Sequence, residues 1–207
     1  MRVAIVGGTG PFGTALATRL RAATGFEVVI GSRDAERAAA AAAELGVAGA
    51  ANEEAVRTAD LVVLATKADA ALETARALRD AIGQTPVLSV ASELRFTSRG
   101  VSPSPDATSL AERIQAELDA PVLAGLHSLA ASTLGGDEPP DEDAFVCGDD
   151  TEAKALGLDL AEQVTAGRAL DAGPLASARA LEGLTAILVG INKRYKTHAG
   201  LKVTGLG

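Results

Sequence analysis

Aromatic residues are nearly missing from this chain: four Phe, one Tyr and no Trp in 207 residues. Stacking platforms for single-stranded nucleic acid need several such rings, so that class of partner is not expected. Cysteine occurs once, as Cys147, which rules out an internal disulfide and any thiolate metal cage, and no metal site is expected. There is no run of about 18 uninterrupted apolar residues and no basic segment ahead of a short apolar one, so neither a membrane span nor a signal peptide is expected. A cytoplasmic location is the expectation that follows. Basic residues are outnumbered, 19 Lys and Arg against 27 Asp and Glu, and the formal charge of −8 has no compensating basic stretch. A polyanionic partner is therefore not expected either.

What is present is an alternation. Apolar runs rich in Val alternate with Ala-rich helical patterns across short connections, which predicts a doubly wound α/β sheet in one well-buried domain with a modest appendage. Strands are expected at residues 3–6, 28–30, 47–48, 61–64 and 87–90, with helices opening near Phe12, Asp34 and Ala70. Residues 91–105 lack apolar periodicity and read as a loop over the carboxyl end of the sheet, where ligands of open α/β sheets bind. Beyond it the pattern predicts a helix over 106–118, a strand over 121–126 ending at His127, a polar turn over 135–140, a strand over 144–147 and a helix from about Asp149. A last long helix spans 174–195. One of its stripes is Leu175, Ala178, Leu181, Leu184, Leu188 and Ile191, and a second, of small residues, is Gly183, Ile187 and Gly190. Two apolar faces imply two partners, the sheet and a second subunit.

The sharpest motif is Gly8-Thr9-Gly10-Pro11-Phe12-Gly13, directly after the first apolar run. Such a turn aims backbone N–H groups and the positive end of a helix at a pyrophosphate, and the missing side chains let it approach. Glycine-rich turns also close ordinary strand–helix junctions. Here the strand before, the helix after and a second strand within one βαβ length favour dinucleotide binding. That second strand runs out into Gly31-Ser32-Arg33, with Arg37 one helical turn on, where an NAD enzyme would place a carboxylate. A hydroxyl and two guanidinium groups welcome the 2′-phosphate that a carboxylate repels, so NADP(H) is expected. The bland alternative for Ser32, Arg33 and Arg37 is a solvated loop and an exposed helix start.

His127 stands where a strand delivers a side chain to the ligand edge, and it is the candidate catalytic residue; the alternative is a histidine satisfied by backbone. His198 reads as a surface or interface residue and Cys147 as a small hydrophobe in a strand. Asp149 and Asp150, lacking a third ligand, read as helix caps. Lys193, Arg194 and Lys196 either meet an anionic ligand or cap the last helix, and Arg95 and Arg99 are equally open.

Taken together, Gly7-Gly8-Thr9-Gly10, Gly31-Ser32-Arg33, the His127 strand end, Val146-Cys147-Gly148-Asp149-Asp150, Leu170-Asp171-Ala172-Gly173-Pro174-Leu175 and the tail Arg194-Tyr195-Lys196-Thr197-His198-Ala199-Gly200 resemble the F420:NADP oxidoreductase family known from archaea. The resemblance implies a Rossmann-type NADP(H) domain over residues 1–130 and a small C-terminal α/β part over 131–207 that completes a deazaflavin cleft and a homodimer interface. It implies reversible hydride transfer between NADP(H) and coenzyme F420. The implied cofactor contacts are Gly8, Thr9, Gly10, Pro11, Phe12, Gly13, Ser32, Arg33 and Arg37, with Ala65 and Thr66 against the nicotinamide. Two other readings stand beside it: an NADPH-dependent reductase of another small substrate, and a non-catalytic NADPH-sensing protein. Residues 151–207 are too few for the long helical dimerisation domain usual in imine and 2-hydroxy-acid reductases.

Overall fold

In the computed structural model, which describes residues 1–206, Arg2–Val6 forms strand β1, and its last four residues are buried on both faces. Such runs belong to parallel sheets covered by helices on either side. The N-terminal half winds accordingly: α1 Pro11–Leu20, β2 Glu27–Ser32, α2 Ala35–Leu45, β3 Ala48–Ala51, α3 Asn52–Arg57, β4 Leu61–Leu64, α4 Ala68–Ile82 and β5 Val87–Ser89. After β5 come β6 Leu94–Thr97, β7 Gly100–Pro103, α5 Leu110–Gln115, β8 Val122–Gly125 and α6 Ala131–Leu134. The chain closes with β9 Ala144–Gly148, α7 Thr151–Val164, β10 Ala169–Asp171, a 3-10 turn Leu175–Ser177 and α8 Ala178–Tyr195.

The main sheet runs β10-β9-β8-β5-β4-β1-β2-β3. Pairing is parallel from β3 to β8, with Ile5 opposite both Ile30 and Val63. Side chains alternate across the sheet: Ala4, Val6, Val62 and Leu64 pack among residues of α3, α4, α5 and α8, while Val3, Ile5, Leu61 and Val63 face α1, α2 and α7. Strand order reverses between β1 and β4, and the crevice outside the carboxyl ends at such a point is where open α/β sheets bind ligands.

The structure corrects several expectations. Strand β9 is antiparallel to β8, and β10 parallels β9, so the sheet is mixed at its C-terminal end. Between β8 and β9 lies only the four-residue α6, too short to carry the chain over the sheet for a parallel return. Residues 91–105 hold a hairpin, β6 with β7, rather than a plain loop; most of its side chains are exposed, which erased the apolar alternation. The helix expected over 106–118 is confined to α5, held by a capping box in which Ser109 and Glu112 bond each other's backbone N–H. The last α-helix starts at Ala178, after a 3-10 turn that follows Pro174. Helices α3 and α6 and strand β10 were not anticipated.

Candidate active site

Four strand ends, β1, β4, β5 and β8, stand side by side at the carboxyl edge. At the first, Gly7 has φ +81°, and a Cβ there would lie 2.9 Å from the backbone of Ala65 and Thr66, so the turns after β1 and β4 touch. Gly10 N–H donates to the Gly7 carbonyl at 2.9 Å, tightening the turn. A Cβ on Gly13 would sit 2.6 Å from Gly8 Cα, which lets α1 seat against it. Gly10 is the N-cap of helix α1, which has no side-chain cap, Pro11 in its first turn and no acid there. Its N-terminal dipole is open, whereas Asp34 and Asp150 cap α2 and α7. An anion is the partner such an end accepts. Thr9 and Phe12 are half-buried at its mouth and Pro11 is exposed.

Ser32 closes β2, nearly buried, and its Oγ accepts from the Asp34 N–H at 3.2 Å. Arg33 and Arg37 are exposed, and among the described residues neither guanidinium has a salt bridge or hydrogen bond. Asp34 spends its carboxylate on the Glu36 and Arg37 N–H groups, at 3.0 and 3.1 Å. A cleft of about 550 Å³ between this corner and α4 is lined by Ser32, Arg33, Asn52, Ala70 and Thr74 among others. Asn52 explains Gly31, since a Cβ there would come within 2.8 Å of its Oδ1.

His127 lies two residues beyond β8. Leu126 between them has φ +63°, a left-handed conformation costly for a leucine, which bends the chain off the sheet line. His127 is 5% exposed, and burial pushes its pKa down to about 4. It is neutral at physiological pH. Nδ1 lies 3.1 Å from Ser92 Oγ, Ser92 Oγ lies 2.8 Å from Thr185 Oγ1, and Thr185 donates to the His127 carbonyl at 3.0 Å. Nε2 is buried with no partner among the described residues, as is Thr66 Oγ1. Unpaired buried polar atoms are costly, and here both lie where ligand is expected. Helix α8 is fixed one turn before Thr185 by Glu182, whose carboxylate accepts from Leu110 and Ala111 N–H, both at 3.1 Å.

The structure thus brings the residues from 8 to 13, Ala65, Thr66 and His127 to one edge, with Ser32 and Arg33 at a cleft beyond the adjacent strand β2. Arg37 projects from α2 beside that corner. Sequence reasoning missed Ser92, Thr185 and Asn52 as site residues; a single Thr in an apolar helix and a Ser in a polar segment carry no spacing signal. Asp150 does cap α7, accepting from Ala153 N–H at 2.8 Å, whereas Asp149 does not cap that helix and accepts from the distant Leu175 N–H at 2.9 Å. Cys147 is fully buried, and desolvation pushes its thiol up to about 11. His198 is exposed and pairs with Ser132 Oγ at 3.1 Å. Lys193 lies 5.0 Å from the centre of the Phe96 ring, a cation–π contact with the hairpin.

A switch-point crevice with a glycine cradle and an uncapped helix defines the class of Rossmann-fold dinucleotide-binding proteins. Comparison with known proteins narrows that class. The family described as NADP oxidoreductase coenzyme F420-dependent matches residues 2–93. The F420-dependent NADP reductases of Methanocaldococcus jannaschii and Methanothermobacter thermautotrophicus are 34% and 33% identical over the whole chain, covering 99% and 96% of those relatives. A solved structure from Arthrobacter sp. FB24, described provisionally as an F420-dependent NADP reductase, superposes with a TM-score of 0.86 at 26% identity over 99% of this chain and all of that one. The chain belongs to the F420-dependent NADP reductase family.

Proposed function

We propose that this protein is an oxidoreductase that transfers a hydride reversibly between NADP(H) and coenzyme F420. The observation that carries the reading is a pair of half-sites on one sheet edge: a glycine cradle at an open helix N-terminus, and the buried, unpaired Nε2 of His127. When bound, the two cofactors supply the redox chemistry, a hydride passing between nicotinamide C4 and deazaflavin C5. The chain holds and orients them. The backbone N–H groups of Thr9, Phe12 and Gly13 receive the pyrophosphate, Pro11 lacking an N–H to give, while Gly8 and Gly10 shape the turn with their own N–H groups bonded to the Ile5, Gly31 and Gly7 carbonyls; Ser32, Arg33 and Arg37 take the 2′-phosphate. Ala65 and Thr66 lie against the nicotinamide. Neutral His127 hydrogen-bonds the deazaflavin edge without proton transfer, consistent with its low pKa. Residues 1–130 form the NADP(H) part; residues 131–207, with α8, complete the second cleft. Mixing the protein with NADPH and oxidised F420 is expected to bleach the visible deazaflavin absorbance, and reduced F420 with NADP⁺ to restore it. A folded, NADP-binding preparation that turns over neither mixture overturns this reading and favours a sensor; turnover of an imine or keto substrate alone favours the other reductase.

We further propose a cytoplasmic homodimer, with neither nucleic acid nor membrane as partner. Support comes from the outer face of α8, where Ile187 is 60% exposed and lines a groove with Gly190 and Ile191, and where a Cβ on Gly190 would meet nothing within 4 Å. Apolar side chains around such an open position suit close helix approach by a second copy. Gly190→Glu is expected to shift the protein from dimer to monomer in light scattering at micromolar concentration. A monomeric wild type removes the proposal.

A further inference from the structure

We infer that Ser92 and Thr185 are positioning residues that lock His127 into one tautomer, with the proton on Nδ1 and a bare lone pair on Nε2, so that the site selects a ring edge presenting an N–H or O–H donor. The inference rests on the proposed placement of the deazaflavin beside His127. It follows from counting protons around a closed ring of three hydrogen bonds. A backbone carbonyl only accepts, so the one hydroxyl proton of Thr185 goes to the His127 carbonyl, 3.0 Å away. Thr185 Oγ1 must then accept across its 2.8 Å contact with Ser92, which uses the one hydroxyl proton of Ser92. Ser92 Oγ therefore has only lone pairs for His127 Nδ1 at 3.1 Å, and Nδ1 must be the donor. Burial keeps the imidazole neutral, with a single N–H, so Nε2 carries none.

The ring starts and ends on His127, joining its side chain to its own carbonyl through the segment after β5 and through α8. Sequence position hides this, because Ser92 and Thr185 are 93 residues apart. Nε2 is shielded from water and bonded to nothing among the described residues. A ligand presenting a carbonyl or a bare ring nitrogen there would set lone pair against lone pair. A ligand presenting a donor satisfies the orphaned atom. The two hydroxyls thus act on selectivity through the histidine and need not touch the ligand.

The test uses full-length protein carrying ¹⁵N-labelled histidine. There are two histidines, and His198→Gln identifies the exposed one. The wild type is expected to show a protonated-type nitrogen at Nδ1 of His127 and an unprotonated-type nitrogen at Nε2, and oxidised F420 is expected to move the Nε2 signal. Thr185→Val keeps the side-chain shape but frees the Ser92 proton for Nδ1, so the opposite tautomer is expected to gain population. The KM for F420 is expected to rise roughly three- to tenfold, the worth of one neutral hydrogen bond, with NADPH affinity unchanged and Thr185→Ser restoring both tautomer and KM. A proton on Nε2 in the wild type overturns the inference even if the variant fails to fold, as does a folded Thr185→Val protein whose tautomer is unchanged. An Nδ1–H ring whose Nε2 signal ignores F420 overturns the deazaflavin placement instead, leaving the fixed tautomer standing.

Discussion

Arg33→Ala is expected to weaken NADPH binding roughly ten- to a hundredfold while leaving NADH binding nearly unchanged. The magnitude is that of one charge-assisted contact, about 1.5–3 kcal/mol, made with a 2′-phosphate and absent with a 2′-hydroxyl. The geometry favours the large end of that span for Arg33 over Arg37. Arg33 lines the cleft beside Ser32, and no ion pair within the described residues must be broken to reach a ligand. Arg37, exposed like Arg33, sits a turn along α2 and is not among the residues lining that cleft, so Arg37→Ala is expected to do the same more weakly. Arg33→Asp adds repulsion and is expected to narrow or invert the preference. Fluorescence titration of both nucleotides against each variant reads the result. Equal losses for NADPH and NADH mean that Arg33 serves the fold or the adenosine, and the 2′-phosphate assignment falls.

Replacing Asp143 by Ala is expected to lower the melting temperature by about 6–12 °C, through the loss of about 3 kcal/mol in a chain of this size. Asp143 immediately precedes β9 and is 1% exposed. Its carboxylate accepts from Arg168 N–H at 3.0 Å, from the Arg168 guanidinium at 2.7 and 3.2 Å, and from Val203 N–H at 2.7 Å. Its backbone N–H donates to the Leu201 carbonyl at 2.7 Å, and Ser128 Oγ donates to its carbonyl at 2.9 Å. One residue therefore ties the start of β10, the C-terminal tail and the loop leaving His127 into a single knot. Truncation strands two backbone donors; Asp143→Asn keeps one acceptor and is expected to cost less. The Arg168 guanidinium holds the carboxyl well below the ordinary range. Its stabilisation is therefore complete above the ordinary carboxylate pKa near 4 and fades as pH falls below it, a slope that Asp143→Ala is expected to remove. Calorimetry decides, and a melting temperature within about 2 °C of wild type sinks the claim.

The N-terminal half was legible because each of its long elements obeys one period. Four-residue buried runs such as Leu61–Leu64 announced a covered parallel sheet, and the glycine turn marked where strand became helix. The same logic read Asp150 as a cap and Cys147 as core. What escaped had no period to detect. Strand β3 reads Ala-Gly-Ala-Ala over 48–51, so the strand expected at 47–48 overlaps it only at Ala48, and hairpin β6–β7 exposes Phe96 where a buried face would have announced a strand. The direction of β9 was hinted at by the missing crossover helix between residues 126 and 143. The Asp143 knot was not hinted at, because its acceptor sits in a run of acids that reads as solvated turn. The site divides in the same way: groups acting through backbone geometry were visible as glycines, while the hydroxyls around His127 depend on three distant segments meeting.

The two margins of the main sheet bear on how the protein behaves when concentrated. One is β3, four residues without a large side chain, and the other is β10, three residues whose Asp171 is paired with Lys154 at 2.9 Å. Each leaves so short a row of unpaired backbone groups that a neighbouring chain gains few hydrogen bonds by adding a strand. Growth of one sheet into the next, the usual route from folded protein to fibre, is thus poorly rewarded at both ends. The two-fold pairing through α8 proposed above would, by contrast, close on itself and not propagate.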